Sequence, residues 1–124
     1  MPTLIACLST GKGTWTEVSA IIKAQPWTKV FLITTSFGQE KFSWADNTRP
    51  ILIDPFWETK EIVEQIKKQL KGQITDFEVA LNFVSGSGKE HMALLEAVLE
   101  LGLNFRLVTI KNNQLEVMGM EKNQ

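Results

Sequence analysis

Residues 77–102 have the sequence FEVALNFVSGSGKEHMALLEAVLELG, in which an apolar run, a glycine-rich turn and a long apolar segment follow one another. The run 77–84 has the length and composition of a buried strand. The segment 89–102 has the length of a helix and is apolar nearly all round, which is typical of a helix buried on more than one side. The serines, glycines and lysine between them exceed what a tight turn needs. We therefore expect this backbone to be approached closely, either by a phosphate group or by the chain itself.

The same succession of apolar run, break and helical segment recurs along the chain. Continuous apolar runs predict buried strands, and apolar residues at helical spacing predict helices. The strands of this kind are 3–9, 29–36 and 51–54, and the helices are 14–24 and 58–72. The polar segment 37–50 is predicted to be a long loop with at most one helical turn. Residues 103–110 and 115–118 flank the turn KNNQ and predict a closing β-hairpin.

This alternation of strands and helices predicts an α/β fold. We expect a Rossmann-like three-layer sandwich, with a mostly parallel sheet, helices on both faces and a C-terminal β-hairpin. The 124 residues suit one domain, 1–124. Ligands of such sheets bind at the carboxyl ends of the strands. The glycine-rich loops 10–14 and 85–89 both follow strands, so we expect them at the same edge.

Composition narrows the class of protein. Apolar residues make up 44% and charged residues 22% of the chain, as in ordinary soluble globular proteins. Thirteen basic against 14 acidic side chains argue against binding of duplex nucleic acid. The single cysteine, Cys7, excludes an intrachain disulfide and favours a reducing, cytoplasmic setting. We expect no signal peptide and no membrane partner. Cys7 and His91 alone are too few to build a metal centre, and no cofactor is predicted.

The first loop, STGKGT (9–14), has features of an anion site. Backbone N–H groups at a helix N-terminus attract anions, and glycines let them approach. The dinucleotide fingerprint G-x-G-x-x-G fails, because Thr16 stands at its third glycine. Thr14 is also the predicted N-cap of helix 14–24, with Glu17 placed for a capping box. A plain strand-to-helix turn is the alternative. The candidate ligand-binding residues are Gly11, Lys12, Gly13 and Thr14.

The second loop, SGSGKE (85–90), differs from a nucleotide-triphosphate P-loop. Phe83 stands where that motif needs glycine, and Glu90 where it needs a hydroxyl for Mg²⁺. Phosphate binding by backbone N–H groups, with Lys89 as a point charge, fits the residues present. The alternative is a flexible loop with a solvated lysine. The candidate ligand-binding residues are Ser85, Gly86, Ser87, Gly88 and Lys89.

Two other side chains are weighed for roles at a site. His91 lies in phase with the apolar residues of its helix and is predicted to be structural. Trp44, in the polar segment 37–50, is the tryptophan placed to stack on a base.

The segment 78–108 resembles the CRISPR-associated Rossmann-fold (CARF) sensor domains. In that family a buried strand ends in Asn and is followed by a Thr/Ser-Gly turn, a Lys, a Met and a helix of small apolar residues. The start of the chain, ACLSTGKGTW (6–15), resembles the family's first strand and ligand-facing loop. The residues that fit the pattern are Asn82, Ser85, Gly86, Lys89 and Met92.

The resemblance implies a homodimer that binds cyclic oligoadenylate across its axis, on the loops after strands one and four. Because helix 89–101 is apolar nearly all round, we expect a second copy of the chain to cover it, so that the dimer forms through this helix. Some members, the ring nucleases, also cleave this ligand without metal, by attack of a ribose 2′-hydroxyl on the adjacent phosphate. In those a Ser or Thr of the first loop and the Lys of the fourth act. The resemblance therefore implies Lys89, Ser9 and Thr10 as catalytic candidates.

Other functions stay open. The R-x(4–6)-H motif of the family's frequent ribonuclease partner domain is absent, because neither Arg49 nor Arg106 is followed by His at that spacing. On the resemblance we therefore expect at most a stand-alone sensor or a ring nuclease. A scaffold subunit of a larger complex, in which the glycine loops only build turns, is one alternative. An enzyme acting on another nucleotide or on a sugar phosphate is the other.

Overall fold

The computed structural model of the chain describes residues 2–8 and 10–119. Six strands and four α-helices occur within this part, and a single 3₁₀ turn (Lys12–Thr14) precedes the first helix. Their bounds are β1 Thr3–Cys7, α1 Trp15–Lys23, β2 Lys29–Thr34, α2 Ser36–Lys41, β3 Thr48–Leu52, α3 Thr59–Leu70, β4 Glu78–Asn82, α4 Gly88–Glu100, β5 Asn104–Lys111 and β6 Gln114–Val117.

The strands form one sheet in the order β3-β2-β1-β4-β5-β6. Strands β1 to β5 are parallel, and β6 pairs antiparallel with β5 across a turn in which Asn112 and Asn113 have positive φ. The predicted fold class is confirmed: an α/β sandwich with a mostly parallel sheet and a C-terminal hairpin. The direction of winding reverses between β1 and β4, so this boundary is the topological switch point of the sheet.

Each face of the sheet carries its own apolar core. Ile5 and Cys7 of β1 face a core shared with α3 and α4, while Leu4 and Ala6 face a core shared with α1. This arrangement explains why β1 is apolar at successive positions, since a central parallel strand is buried on both sides. None of the helices in the described part of the chain is long and apolar enough to cross a membrane.

Helix α4 carries apolar residues on two opposite sides, and these two sides have different surroundings. The side toward the sheet and α3 is fully buried and consists of Ala93, Leu94, Ala97 and Val98. The opposite side leaves Met92 64% and Leu99 56% exposed. The side predicted to face the sheet is buried, and burial of the outer face stays a prediction, since it depends on a second copy of the chain.

The segment 37–50 has more regular structure than the predicted long loop with at most one helical turn. It contains most of α2, and β3 begins at Thr48 instead of at residue 51. A Cβ on Gly38 would overlap the hydroxyl of Thr34, so α2 approaches β2 too closely for any side chain at that position. The strand was predicted to begin after Pro50 because proline is uncommon inside strands. A proline is tolerated there because β3 is an edge strand.

Candidate functional site

The two glycine-rich loops meet at the carboxyl edge of the sheet. We call residues 10–14 the β1 loop and residues 85–89 the β4 loop. Because β1 and β4 are hydrogen-bonded neighbours, their following loops emerge side by side, as expected from the sequence. The Thr14 hydroxyl donates a hydrogen bond to the Ser85 hydroxyl over 2.6 Å. This contact joins the two loops directly at the switch point.

The surroundings of Gly86 show what approaches the backbone of the β4 loop. Its φ is +97°, and a Cβ built on it would lie 2.8 Å from the Cβ of Cys7. The same Cβ would lie 3.3 Å from Nε2 of His91. The chain itself therefore approaches this glycine, because the backbone of the β4 loop packs onto the end of β1.

The first turn of α4 satisfies its own donors. Ser87 is the N-cap, and its hydroxyl accepts a hydrogen bond from the backbone N–H of Glu90 over 3.4 Å. The Glu90 carboxylate accepts in return from the Ser87 N–H over 3.2 Å and from its hydroxyl over 2.8 Å. This capping box places a carboxylate at the positive end of the helix dipole. The position that would attract a phosphate already holds an anion.

Lys89 binds the chain as well. Its ammonium donates to the carbonyls of Pro55 and Trp57, over 2.7 and 2.8 Å. Both carbonyls belong to the connection between β3 and α3, so the lysine ties that connection to α4. The interpretation of Lys89 as a solvated lysine is wrong. Of its three N–H donors, one is left for any further acceptor.

Two other residues close to the β4 loop have structural contacts. The Nε2–H of His91 donates to the carbonyl of Ser85 over 2.7 Å, in agreement with its predicted structural role. Asn82, which carries part of the family resemblance, donates to the Val108 carbonyl over 2.8 Å and accepts from the Val84 N–H over 3.0 Å. The asparagine thereby fixes the end of β4 against β5.

Cys7 is a poor nucleophile at neutral pH. Burial raises the pKa of its thiol well above the ordinary value, and the negative charge of Glu90 raises it further. Among residues 2–8 and 10–119, no group of three His, Cys, Asp or Glu side chains is placed to hold a metal ion.

The β1 loop has the opposite character. Thr10, Gly11, Lys12 and Gly13 are all exposed. A Cβ on Gly11 or Gly13 would meet nothing within 4 Å, so chain packing does not require these glycines. Ser9, a catalytic candidate, lies outside the described residues. The backbone of this loop is therefore the part of the site that a ligand can approach.

Thr14 serves the contact between the loops instead of capping its helix. It stands at the N-cap position of α1, but its side chain makes no capping hydrogen bond. The predicted capping box with Glu17 is wrong, because the Thr14 hydroxyl points to Ser85.

A row of aromatic rings extends from the β1 loop. Trp15 directly follows Thr14, and its ring centroid lies 6.1 Å from that of Phe37 and 5.6 Å from that of Phe42. The Lys12 ammonium lies 5.8 Å from the Trp15 ring centroid. Phe42 is only 7% exposed, whereas Phe37 is 36% exposed. Phe37 was not singled out from the sequence, although it follows the predicted end of β2 directly.

Trp44, the tryptophan predicted to stack on a base, is half-buried and lies at the opposite end of this row from Phe37. Its ring packs edge-on against Phe42 at 5.4 Å, and its indole N–H donates to the Gln39 carbonyl over 2.7 Å.

A separate surface groove of about 440 Å³ runs along α3 and contains no residue of either loop. Its lining is Trp57, Glu58, Lys60, Glu61, Glu64, Gln65 and Lys68. Acidic and basic side chains are mixed in this lining, so the groove has no single charge that would select a ligand.

Comparison with known proteins supports the fold. No family model matches the sequence, and no curated protein matches it. The structure is similar to the crystal structure of protein VC1899 from Vibrio cholerae, with a TM-score of 0.62 and 12% sequence identity. The alignment covers 98% of this chain and 34% of that one, so the chain spans about a third of the length of VC1899. At this identity the similarity shows the fold alone.

Proposed function

We propose that the chain is a CARF-type sensor that binds cyclic oligoadenylate at the switch point of its sheet. The observation that carries the proposal is the junction of the β1 and β4 loops, joined by the Thr14–Ser85 hydrogen bond. This is the edge at which open parallel sheets bind their ligands. The exposed glycine backbone of the β1 loop, with the charge of Lys12 beside it, suits a phosphate group.

Binding is favoured over cleavage in the geometry at hand. Attack of a ribose 2′-hydroxyl needs a cation at the phosphate, and Lys89 is the family's candidate for it. Two of its three donors bind the carbonyls of Pro55 and Trp57, so a single donor is left for that phosphate. We therefore propose a sensor first, and a ring nuclease using Lys89 with Ser9 and Thr10 only where the remaining donor of Lys89 reaches the phosphate.

The proposal includes a homodimer formed through α4. Met92 and Leu99 lie on one face of this helix and are both more than half exposed. A second copy that covers this face removes apolar surface from water.

Light scattering at micromolar concentration tests the dimer. We expect a dimeric wild type, and Leu99→Glu should halve its mass. Leu52→Glu is the matched control, because Leu52 is an exposed leucine of β3, at the far side of the sheet from β5. A monomeric wild type would exclude this dimer.

Calorimetric titration with cyclic tetra-adenylate and cyclic hexa-adenylate tests the ligand. We expect heat with at least one ring. A ligand at 100 times its Kd adds about 2.7 kcal/mol to the free energy of unfolding, which raises the melting temperature by several degrees in a domain of this size. If neither ring gives heat or a thermal shift, the sensor proposal is wrong.

The alternative is a scaffold or interaction subunit with no small-molecule ligand. One observation favours it specifically: Gly86, Ser87 and Lys89 all serve contacts within the chain. This function predicts no response to any nucleotide. A thermal-shift panel of nucleotides and sugar phosphates separates it from an enzyme acting on another phosphate compound.

A further inference from the structure

We infer that an adenine base of the bound nucleotide stacks on Phe37 beside Trp15, and that Lys12 holds the adjoining phosphate. The inference rests on the proposed function and names the residues that would recognise the two halves of the ligand. It moves the recognition surface from the β4 loop toward the β1 loop and α2.

Topology brings these three residues to one place. Strands β1 and β2 are parallel neighbours, with Cys7 opposite Ile33. Gly11 and Phe37 lie equally far beyond this pair, so the β1 loop and the start of α2 emerge at the same edge. Trp15 contacts both sides, since its ring lies 6.1 Å from the Phe37 ring and 5.8 Å from the Lys12 ammonium.

The aromatic row is fixed by a hydrogen bond at its Trp44 end, buried at Phe42 and exposed at its Phe37 end. Phe42 and Trp44 pack edge-on at 5.4 Å, and the Trp44 indole is fixed to the Gln39 carbonyl. Trp15 packs against both Phe42 and Phe37, and Phe37 is 36% exposed. A ring held in this way loses little conformational entropy when a base stacks on it, and aromatic faces accept any base.

The charge beside this row is available to a ligand. Within the described residues, the Lys12 ammonium has no hydrogen-bonding or ion-pair partner, and its contact is the face of Trp15. Lys89, by contrast, spends two of its donors on backbone carbonyls. A cation next to an exposed aromatic ring matches a nucleotide, which presents a base and a phosphate a short distance apart.

Calorimetry with three probes tests this assignment: cyclic tetra-adenylate, ATP and inorganic tripolyphosphate. Phe37→Leu removes the π-face but keeps an apolar side chain, and we expect it to weaken cyclic tetra-adenylate roughly 5- to 150-fold. Phe37→Tyr keeps the ring and should bind as wild type does. Phe56→Leu is the matched control, because Phe56 is 92% exposed and follows β3 instead of β2. Tripolyphosphate has no base, so Phe37→Leu should leave its affinity unchanged while Lys12→Gln lowers it roughly 10- to 150-fold.

The outcomes separate this inference from the proposed function. If the wild type binds the ring and Phe37→Leu binds it equally well, the stacking site is wrong and the sensor stands. If the wild type binds ATP but not the ring, and Phe37→Leu weakens ATP, the stacking site stands and the proposed ligand is wrong. If the wild type binds neither adenine compound, both are wrong.

Discussion

The β1 loop and the β4 loop are built from the same residue types, glycine, serine or threonine, and one lysine, at neighbouring positions of one sheet edge. In the β4 loop these residues contact the chain: Gly86 lies against Cys7, and Lys89 binds two carbonyls. In the β1 loop, Gly11 and Lys12 are exposed, and a Cβ on Gly11 would meet no atom within 4 Å. Composition alone therefore does not distinguish a loop that binds a ligand from a loop that packs on its own fold.

The physical difference between the loops comes from the helix into which each of them leads. The β4 loop leads into α4, which packs on the sheet and on α3. The backbone of this loop therefore lies directly against the end of β1. The β1 loop leads through a 3₁₀ turn into α1, whose first residues are exposed or half-buried. A ligand at the β1 loop displaces water, whereas a ligand at the β4 loop must displace the chain.

The largest expected effect comes from Gly86→Ala. The new Cβ stands on a backbone with a φ of +97° and lies 2.8 Å from the Cys7 Cβ, so both backbone strain and overlap oppose it. We expect the free energy of unfolding to fall by about 2 to 4 kcal/mol, measured by urea denaturation.

Gly11→Ala is the matched control for this substitution. Gly11 has a φ of −85° and no atom within 4 Å of the added Cβ. Alanine there should raise the free energy of unfolding by about 0.4 to 1 kcal/mol, because it reduces the entropy of the unfolded chain. Equal effects of the two alanines would remove the structural difference between the loops.

The lysines give the second contrast. Lys89→Met keeps the apolar stem but leaves the carbonyls of Pro55 and Trp57 without their charged donor. We expect a loss of about 1.5 kcal/mol in the free energy of unfolding, at the low end for charged hydrogen bonds because the Pro55 carbonyl contact is exposed.

Lys12→Met should cost less, within about 0.5 to 1 kcal/mol, because it loses only a contact with the Trp15 face. If Lys12→Met destabilises the fold more than Lys89→Met, the assignment of the two lysines is reversed.

The two loops and their lysines also show which features of the structure can be predicted from the sequence and which cannot. Strand and helix periodicity predicted the mostly parallel sheet, the C-terminal hairpin and the meeting of the two loops at one edge, because burial of apolar residues leaves a regular pattern. The pattern around Lys89 was equally clear, but its partners, the carbonyls of Pro55 and Trp57, lie more than thirty residues earlier and carry no side-chain signal. Phe37 was missed for a related reason: its importance comes from a ring contact with Trp15, which only the pairing of β1 with β2 creates.

The pH dependence of stability tests how completely Cys7, at the end of β1, is buried beneath the β4 loop. Burial and the charge of Glu90 raise the pKa of its thiol in the folded state above the ordinary 9.0. Above pH 9 the unfolded chain loses this proton and the folded chain keeps it, so stability is full below that pH and falls as the pH rises. The expected loss from this group is about 1.4 kcal/mol for each pH unit above 9.

Urea denaturation of wild type and Cys7→Ala between pH 8 and pH 10.5 measures this effect. Other titrating groups are common to both proteins and cancel in the difference. The advantage of wild type over the variant should shrink above pH 9. Parallel curves would mean that water reaches the thiol beneath Gly86.

The smallest expected effect decides whether the two loops act together. The Thr14 and Ser85 hydroxyls, 2.6 Å apart, form the direct side-chain contact between them. Thr14→Val and Ser85→Ala should each cost about 0.5 to 1.5 kcal/mol, the usual net value of one hydrogen bond. In the double variant this bond can be lost only once, so the two costs should fall short of additivity by about 0.5 kcal/mol or more. Such a coupling means that the two loops are energetically linked through this pair, so a change in the position of Thr14 is felt at Ser85. Additive costs would instead make the β1 loop an independent binding surface, with the β4 loop as a fixed wall beside it.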